Sequence, residues 1–225
     1  MAETAAHLVD SVFPEVPIRQ WVLSIPFALR YRLAYDSALM SRVLNIFVRT
    51  VFADLRNRAR QVWGVQSAQC GAVTFIQRFN DALQISPHYH SLVINGIYAA
   101  DANGKPEFHE LPAPEDEDVL RVTGRVAEKV ESLLKRCGLS PDDDPDDTLS
   151  RDEPGLAALY SASVQSRVAA GPNLGNRVVR LGDYIDGDGL TGLPIRRCAT
   201  VRGFNVHANT AIDAHDRLRL ERIIR

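Results

Sequence analysis

The 225 residues carry 26 Lys and Arg against 28 Asp and Glu, with 45% hydrophobic and 24% charged residues. That balance describes a globular chain long enough to bury a core, as one large domain or two small ones. No apolar run approaches the roughly 20 residues that span a bilayer, and Met1-Ala2-Glu3-Thr4 lacks the layout of a signal peptide, so the expectation is a cytoplasmic chain. Cys70, Cys137 and Cys198 form no Cys-x-x-Cys pair, which leaves no disulfide framework and no zinc knuckle.

Charge is unevenly spread. Residues 101–153 hold 16 acidic against 7 basic groups, and the rest of the chain holds 19 basic against 12 acidic, almost all of the basic ones arginine. Outside the middle segment a nucleic-acid surface is permitted, beside the plainer reading of solvated charge.

In chain order, residues 2–13 place Ala5, Leu8, Val9 and Val12 at helical spacing and end near Pro14. Ile18 to Ile25, between Pro17 and Pro26, is rich in β-branched and aromatic residues and reads as a buried strand. Phe27 to about Trp63 contains no glycine or proline and predicts one or two long helices, whose interleaved arginines suit either phosphate or solvent. Ala72–Phe79 reads as a second strand. A third runs from Pro87 to about Tyr98, followed by turn chemistry at Asp101–Lys105 that suits two antiparallel neighbours. Glu115 to Cys137 has helical period, acidic residues at its start, Lys135-Arg136 at its end and Gly138 as a stop.

Residues 140–153 read as an acidic, solvated loop, without the spacing of a calcium-binding EF-hand. A weaker helix is expected over Gly155–Ala170, carrying Tyr160. The glycine-rich stretch after it has a strand candidate at Arg177–Leu181 but no phosphate-binding loop, so no nucleotide cofactor is expected. Thr200 to Ile212 predicts one strand or a bent pair, and Asp213 to Arg225 opens a helix.

The chemistry centres on Pro87-His88-Tyr89-His90. In a strand, His88 and His90 project from one face about 7 Å apart at Cα, with Tyr89 on the other, and two adjacent imidazoles can hold one metal ion. A hydrogen-bonded surface histidine beside an incidental one is the plainer alternative.

Several ordered blocks settle the context: Val16 to Pro26, Cys70 to Phe79, Pro87 to His90, Val206-His207-Ala208-Asn209, and Arg217 to Arg225. Together they resemble the core of the rolling-circle insertion-sequence transposases, members of the HUH (His-hydrophobe-His) single-strand endonucleases. The resemblance implies an α+β fold, an antiparallel sheet with the His-x-His strand central and helices packed on it, forming a single catalytic core over 1–225. It implies a divalent metal, Mg²⁺ or Mn²⁺, held by His88 and His90, with Gln77 as third ligand and His207 as runner-up. Arg19 and Arg78 are candidates for DNA phosphates or for structural ion pairs. The implied partner is single-stranded or hairpin DNA at transposon ends, cut and rejoined through a phosphotyrosine intermediate.

Two departures follow. The family's upstream zinc-binding segment has no counterpart here, and its nucleophilic tyrosine comes directly after a stretch like Leu220–Arg225, so no catalytic tyrosine is identified. The expectation is a transposase truncated at both ends and defective in cleavage. The alternatives are a non-catalytic DNA-binding fragment that occupies transposon ends, and a metal hydrolase using bound water.

Overall fold

The computed structural model describes residues 2–79, 85–139 and 196–224. The acidic loop, the expected helix at 155–170 with Tyr160 and the strand candidate at 177–181 lie outside them.

The chain opens with α1 (Ala2–His7), which runs into a single π-helical turn, Leu8–Val12. That widening rotates the apolar stripe, so Val9 and Phe13 are buried while Val12, expected inward, is 46% exposed. β1 (Ile18–Ser24) follows, then α2 (Phe27–Tyr35) and α3 (Ser37–Trp63). The long helical run therefore breaks in two, although no glycine or proline marks the point. Asp36 leaves the helical conformation, and its carboxylate accepts the Leu39 amide at 2.8 Å as the N-cap of α3. Gly64, at φ 66°, supplies the left-handed stop.

β2 (Ala72–Phe79) and β3 (Ile85–Ile94) pair antiparallel, and β3 ends earlier than its sequence suggests. Asn95 turns the chain into β4 (Gly96–Ala100), which forms a separate two-stranded sheet with β5 (Pro106–Glu110) across the Asp101–Lys105 turn. Gly96 is required there, because a Cβ would overlap the His109 carbonyl and the Phe108 ring. α4 (Asp116–Arg136) is followed by β6 (Cys198–Val201), β7 (Phe204–His207), β8 (Ala211–Ile212) and α5 (Arg217–Ile224). The stretch at 200–212 is thus a hairpin turning on Arg202-Gly203, both at positive φ, plus a short extra strand.

The main sheet has the order β2-β3-β1-β7-β6, with β8 beside the other end of β1, and every pairing is antiparallel. β3 lies inside the sheet, next to the middle strand β1. One face packs Trp21, Leu23, Tyr89 and Val93 against α3 and α4, through Val43, Phe47, Val51, Val122 and Val126. The opposite face is covered at one end by a smaller cluster in which Val9, Phe13 and Leu220 sit on Ile18, Leu92 and Ile212. Arg217 secures that layer by donating to the carbonyls of Phe13 and Pro14. The result is the expected α+β fold. No helix among the described residues is long and apolar enough to cross a membrane.

Candidate functional site

Strand register fixes what surrounds the histidine pair. One row across the sheet aligns Gln77, His88, Ser24, Asn205 and Thr200, and the next aligns Phe75, His90, Val22, His207 and Cys198. Because side chains alternate, all of these share the face opposite Tyr89, at the end left open by the Leu220 cluster. Gln77 and His88 are direct cross-strand neighbours, the closest lateral relationship a sheet offers.

The two imidazoles lie with ring centroids 4.9 Å apart and planes at 65°. His88 is 3% exposed. Its Nδ1 is 2.7 Å from the Ser86 carbonyl, to which only an N–H can donate, so the neutral ring keeps its lone pair on Nε2. That nitrogen lies 2.9 Å from the Gln77 side-chain oxygen. Two acceptors face each other. A proton on the ring, a turned amide or a cation between them resolves the conflict.

His90 is held differently. The Gln20 amide N–H donates to its Nδ1 at 3.0 Å, which puts the neutral ring's proton on Nε2, and that nitrogen is buried without a hydrogen-bond partner. Burial, followed by the neighbouring His88 charge, pushes the His90 pKa down to about 4, which keeps this ring neutral at physiological pH. His88 thus has the usual arrangement of a ligating histidine, one nitrogen anchored to a carbonyl and the other facing the Gln77 oxygen, and His90 takes the same arrangement once the Gln20 amide is turned so that its oxygen accepts from Nδ1.

The donor set suits a divalent cation: two imidazole nitrogens and one amide oxygen, with remaining positions for water or phosphate oxygen. Among the described residues no three His, Cys, Asp or Glu side chains gather closely enough to hold a metal by themselves, and the Gln77 oxygen, 2.9 Å from His88 Nε2, could serve as a third donor. His207 shares the row of His90 but stands two strands away, about 10 Å at normal strand spacing, and is not brought to the pair.

The two arginines part company. Arg19 projects from the opposite face and is 5% exposed; it donates from Nε to Asn95 at 3.0 Å and from a terminal nitrogen to the Ala208 carbonyl at 2.9 Å. Burial, helped by the charges of Arg197 and Arg58, lowers its pKa to about 10, and it ties β1 to the loop beyond β7. It is placed as a structural cation. Arg78 is exposed on the edge strand β2, beside the irregular pairing between Gln77 and Phe79.

Three neighbours went unremarked in the sequence. Gln20 anchors His90, the Ser86 carbonyl anchors His88, and Ser24, paired across from His88, has a buried hydroxyl without a hydrogen-bond partner. The even-numbered polar residues of β1, Gln20 and Ser24, would have pointed to them once the strand was paired with the histidines.

Of the tyrosines, Tyr89 points away as alternation requires. Its hydroxyl donates to the Met40 carbonyl at 2.9 Å, within the helix-packed core.

The family model described as "Putative transposase" matches residues 71–225, from the start of β2 through α5, and so includes Gln77, His88, His90 and His207. The block at 16–26, on β1, lies outside the matched residues. No curated protein and no solved structure matches the chain. Since the match covers well over half of its length, the chain belongs to this transposase family.

Proposed function

We propose that the chain is the core of a rolling-circle transposase of the HUH class, using His88, His90 and Gln77 to hold Mg²⁺ or Mn²⁺ against a phosphodiester of single-stranded DNA. Membership of a transposase family gives it a role in transposition and DNA as its partner. The single-strand, metal-assisted reading rests on one observation. His88 and His90 stand side by side on this face, the Gln77 oxygen lies 2.9 Å from His88 Nε2, and His90 Nε2 is buried without a hydrogen-bond partner.

When bound, a divalent cation supplies charge neutralisation at a phosphate oxygen. The chain's own residues do the rest. Ser86 and Gln20 fix the ring orientations, and the apolar layer formed by Phe75, Leu92 and Leu220 limits water on one side. α5 docks on the same face, packing Ile223 and Ile224 against the cluster that contains Phe75, the cross-strand neighbour of His90. A nucleophile carried just after this helix would arrive beside the pair. Among the described residues no tyrosine lies there.

The lack of a tyrosine beside the pair among the described residues favours a second reading, a non-catalytic protein that occupies transposon ends. Incubation with Mn²⁺ and single-stranded oligonucleotides, followed by a denaturing gel, tests cleavage: a covalent protein–DNA adduct overturns the non-catalytic reading. DNA binding that is indifferent to Mn²⁺ and to His88→Ala with His90→Ala favours the non-catalytic reading. Mn²⁺-dependent binding lost in those variants supports the HUH core.

A further inference from the structure

α2 carries an exposed aromatic pair that neither the core nor the histidine site uses. Tyr31 is 58% and Tyr35 70% exposed, and their rings, one helical turn apart, lie 4.7 Å between centroids. Large apolar surface is ordinarily spent on burial, yet these two rings are held together in solvent.

Their surroundings are cationic. Between Phe27 and Tyr35 the helix carries Arg30 and Arg32 and no acidic residue. Arg30 is buried, donates from Nε to the Ile25 carbonyl at 3.1 Å and lies 5.5 Å from the centre of the Phe27 ring. It has no carboxylate partner among the described residues, so its charge stands uncompensated at the base of the helix.

The position matters as much as the composition. Ser24, the residue that pairs across from His88, is separated from the first residue of α2 only by Ile25 and Pro26, and α2 packs against β3, the histidine strand. α2 buries Leu29 and Leu33 in the core on the Tyr89 face, so a strand bound at its exposed rings would reach the histidine pair around the end of the sheet where Ser24 meets His88.

We propose that Tyr31 and Tyr35 form a stacking platform for bases of single-stranded DNA whose backbone runs on toward His88 and His90. This deepens the reading given above and rests on it. Bases in a single strand present their faces to aromatic rings, and such stacking tolerates any sequence, whereas a duplex keeps its bases stacked on one another. A protein partner would also use exposed tyrosines, but the uncompensated arginine and the DNA partner implied by the family favour a polyanion.

The test is fluorescence anisotropy of the full chain, in EDTA and in Mn²⁺, with a labelled oligothymidylate, an abasic strand of equal length and a duplex. Stacking of 1–3 kcal/mol per base corresponds to about 5- to 150-fold in affinity, so the double variant Tyr31→Ala, Tyr35→Ala should lose at least roughly fivefold on the oligothymidylate. It should lose little on the abasic strand, and Tyr31→Phe with Tyr35→Phe should bind like the parent. Both side chains are exposed, and an unchanged melting temperature confirms that folding is intact. Equal binding by parent and alanine variant overturns the platform and leaves the single-strand reading standing. Equal losses on the base-bearing and abasic strands show a backbone contact and overturn stacking. A parent chain that prefers duplex, or binds no single strand, overturns both readings.

Discussion

His88 and Gln77 meet as cross-strand neighbours with the imidazole Nε2 2.9 Å from the amide oxygen, while the other imidazole nitrogen is committed to the Ser86 carbonyl. If a cation resolves that meeting of acceptors, the side chain at 77 sets its affinity. Gln77→Glu places a carboxylate on the same strand position and should tighten Mn²⁺ binding. Gln77→Ala should weaken it by about 10- to 100-fold, the range seen when a supporting group at a metal site is removed. Isothermal titration, or the loss of the free Mn²⁺ electron-resonance signal, reads both. Unchanged affinity in both variants removes Gln77 from the ligand set.

Much of this geometry is legible in the sequence because a period of two is rigid. His88 and His90 share a face and Tyr89 takes the other, and Gln77 and His88 become neighbours once β2 and β3 pair. The break at Asp36 was not legible, because its signal is a single capping carboxylate inside a continuous helical pattern. The π turn at Leu8–Val12 was also hidden. It inserts one residue into the period and exchanges Val12 for Phe13 in the core. Arg19 shows a further limit: strand position gives its face, but its Asn95 and Ala208 partners come from segments distant in sequence.

His90 gives a pH dependence with a definite sign. Its folded pKa, near 4, lies below the unfolded value of about 6.5, so the unfolded chain binds the extra proton first as pH falls. In EDTA, stability is fully present above about pH 6.5 and declines toward pH 4, by at most about 3 kcal/mol from this group. Urea melts of the metal-free parent and His90→Gln between pH 7 and pH 4 check it. A slope equally steep in the variant would assign the loss elsewhere.

Tyr89 separates stability from chemistry. Burial raises the pKa of its hydroxyl, which donates to Met40 on the face away from the histidines. Tyr89→Phe should cost roughly 1 kcal/mol, the net value of a buried hydrogen bond, because the Met40 carbonyl still has its helical partner. Mn²⁺ and DNA affinities should stay at the parent level. A selective loss of DNA binding at unchanged stability would contradict the placement of this hydroxyl in the core.

Leu220 is the contact by which α5 reaches the histidine face. It is fully buried among Val9, Phe13, Ile18, Leu92 and Ile212, so truncation removes packing on both the sheet and the N-terminal segment. Leu220→Ala should cost about 2–5 kcal/mol if the cluster behaves as a core. The Arg217 bonds to Phe13 and Pro14 join the same two segments, which makes local release of α5 the cheaper outcome than global unfolding. Hydrogen exchange distinguishes them: amides of α5 and the N-terminal helix should lose protection while those of α3 and α4 keep theirs. Uniform loss across all four helices would mean that the small cluster and the main core melt as one unit, and that α5 cannot move independently over the site.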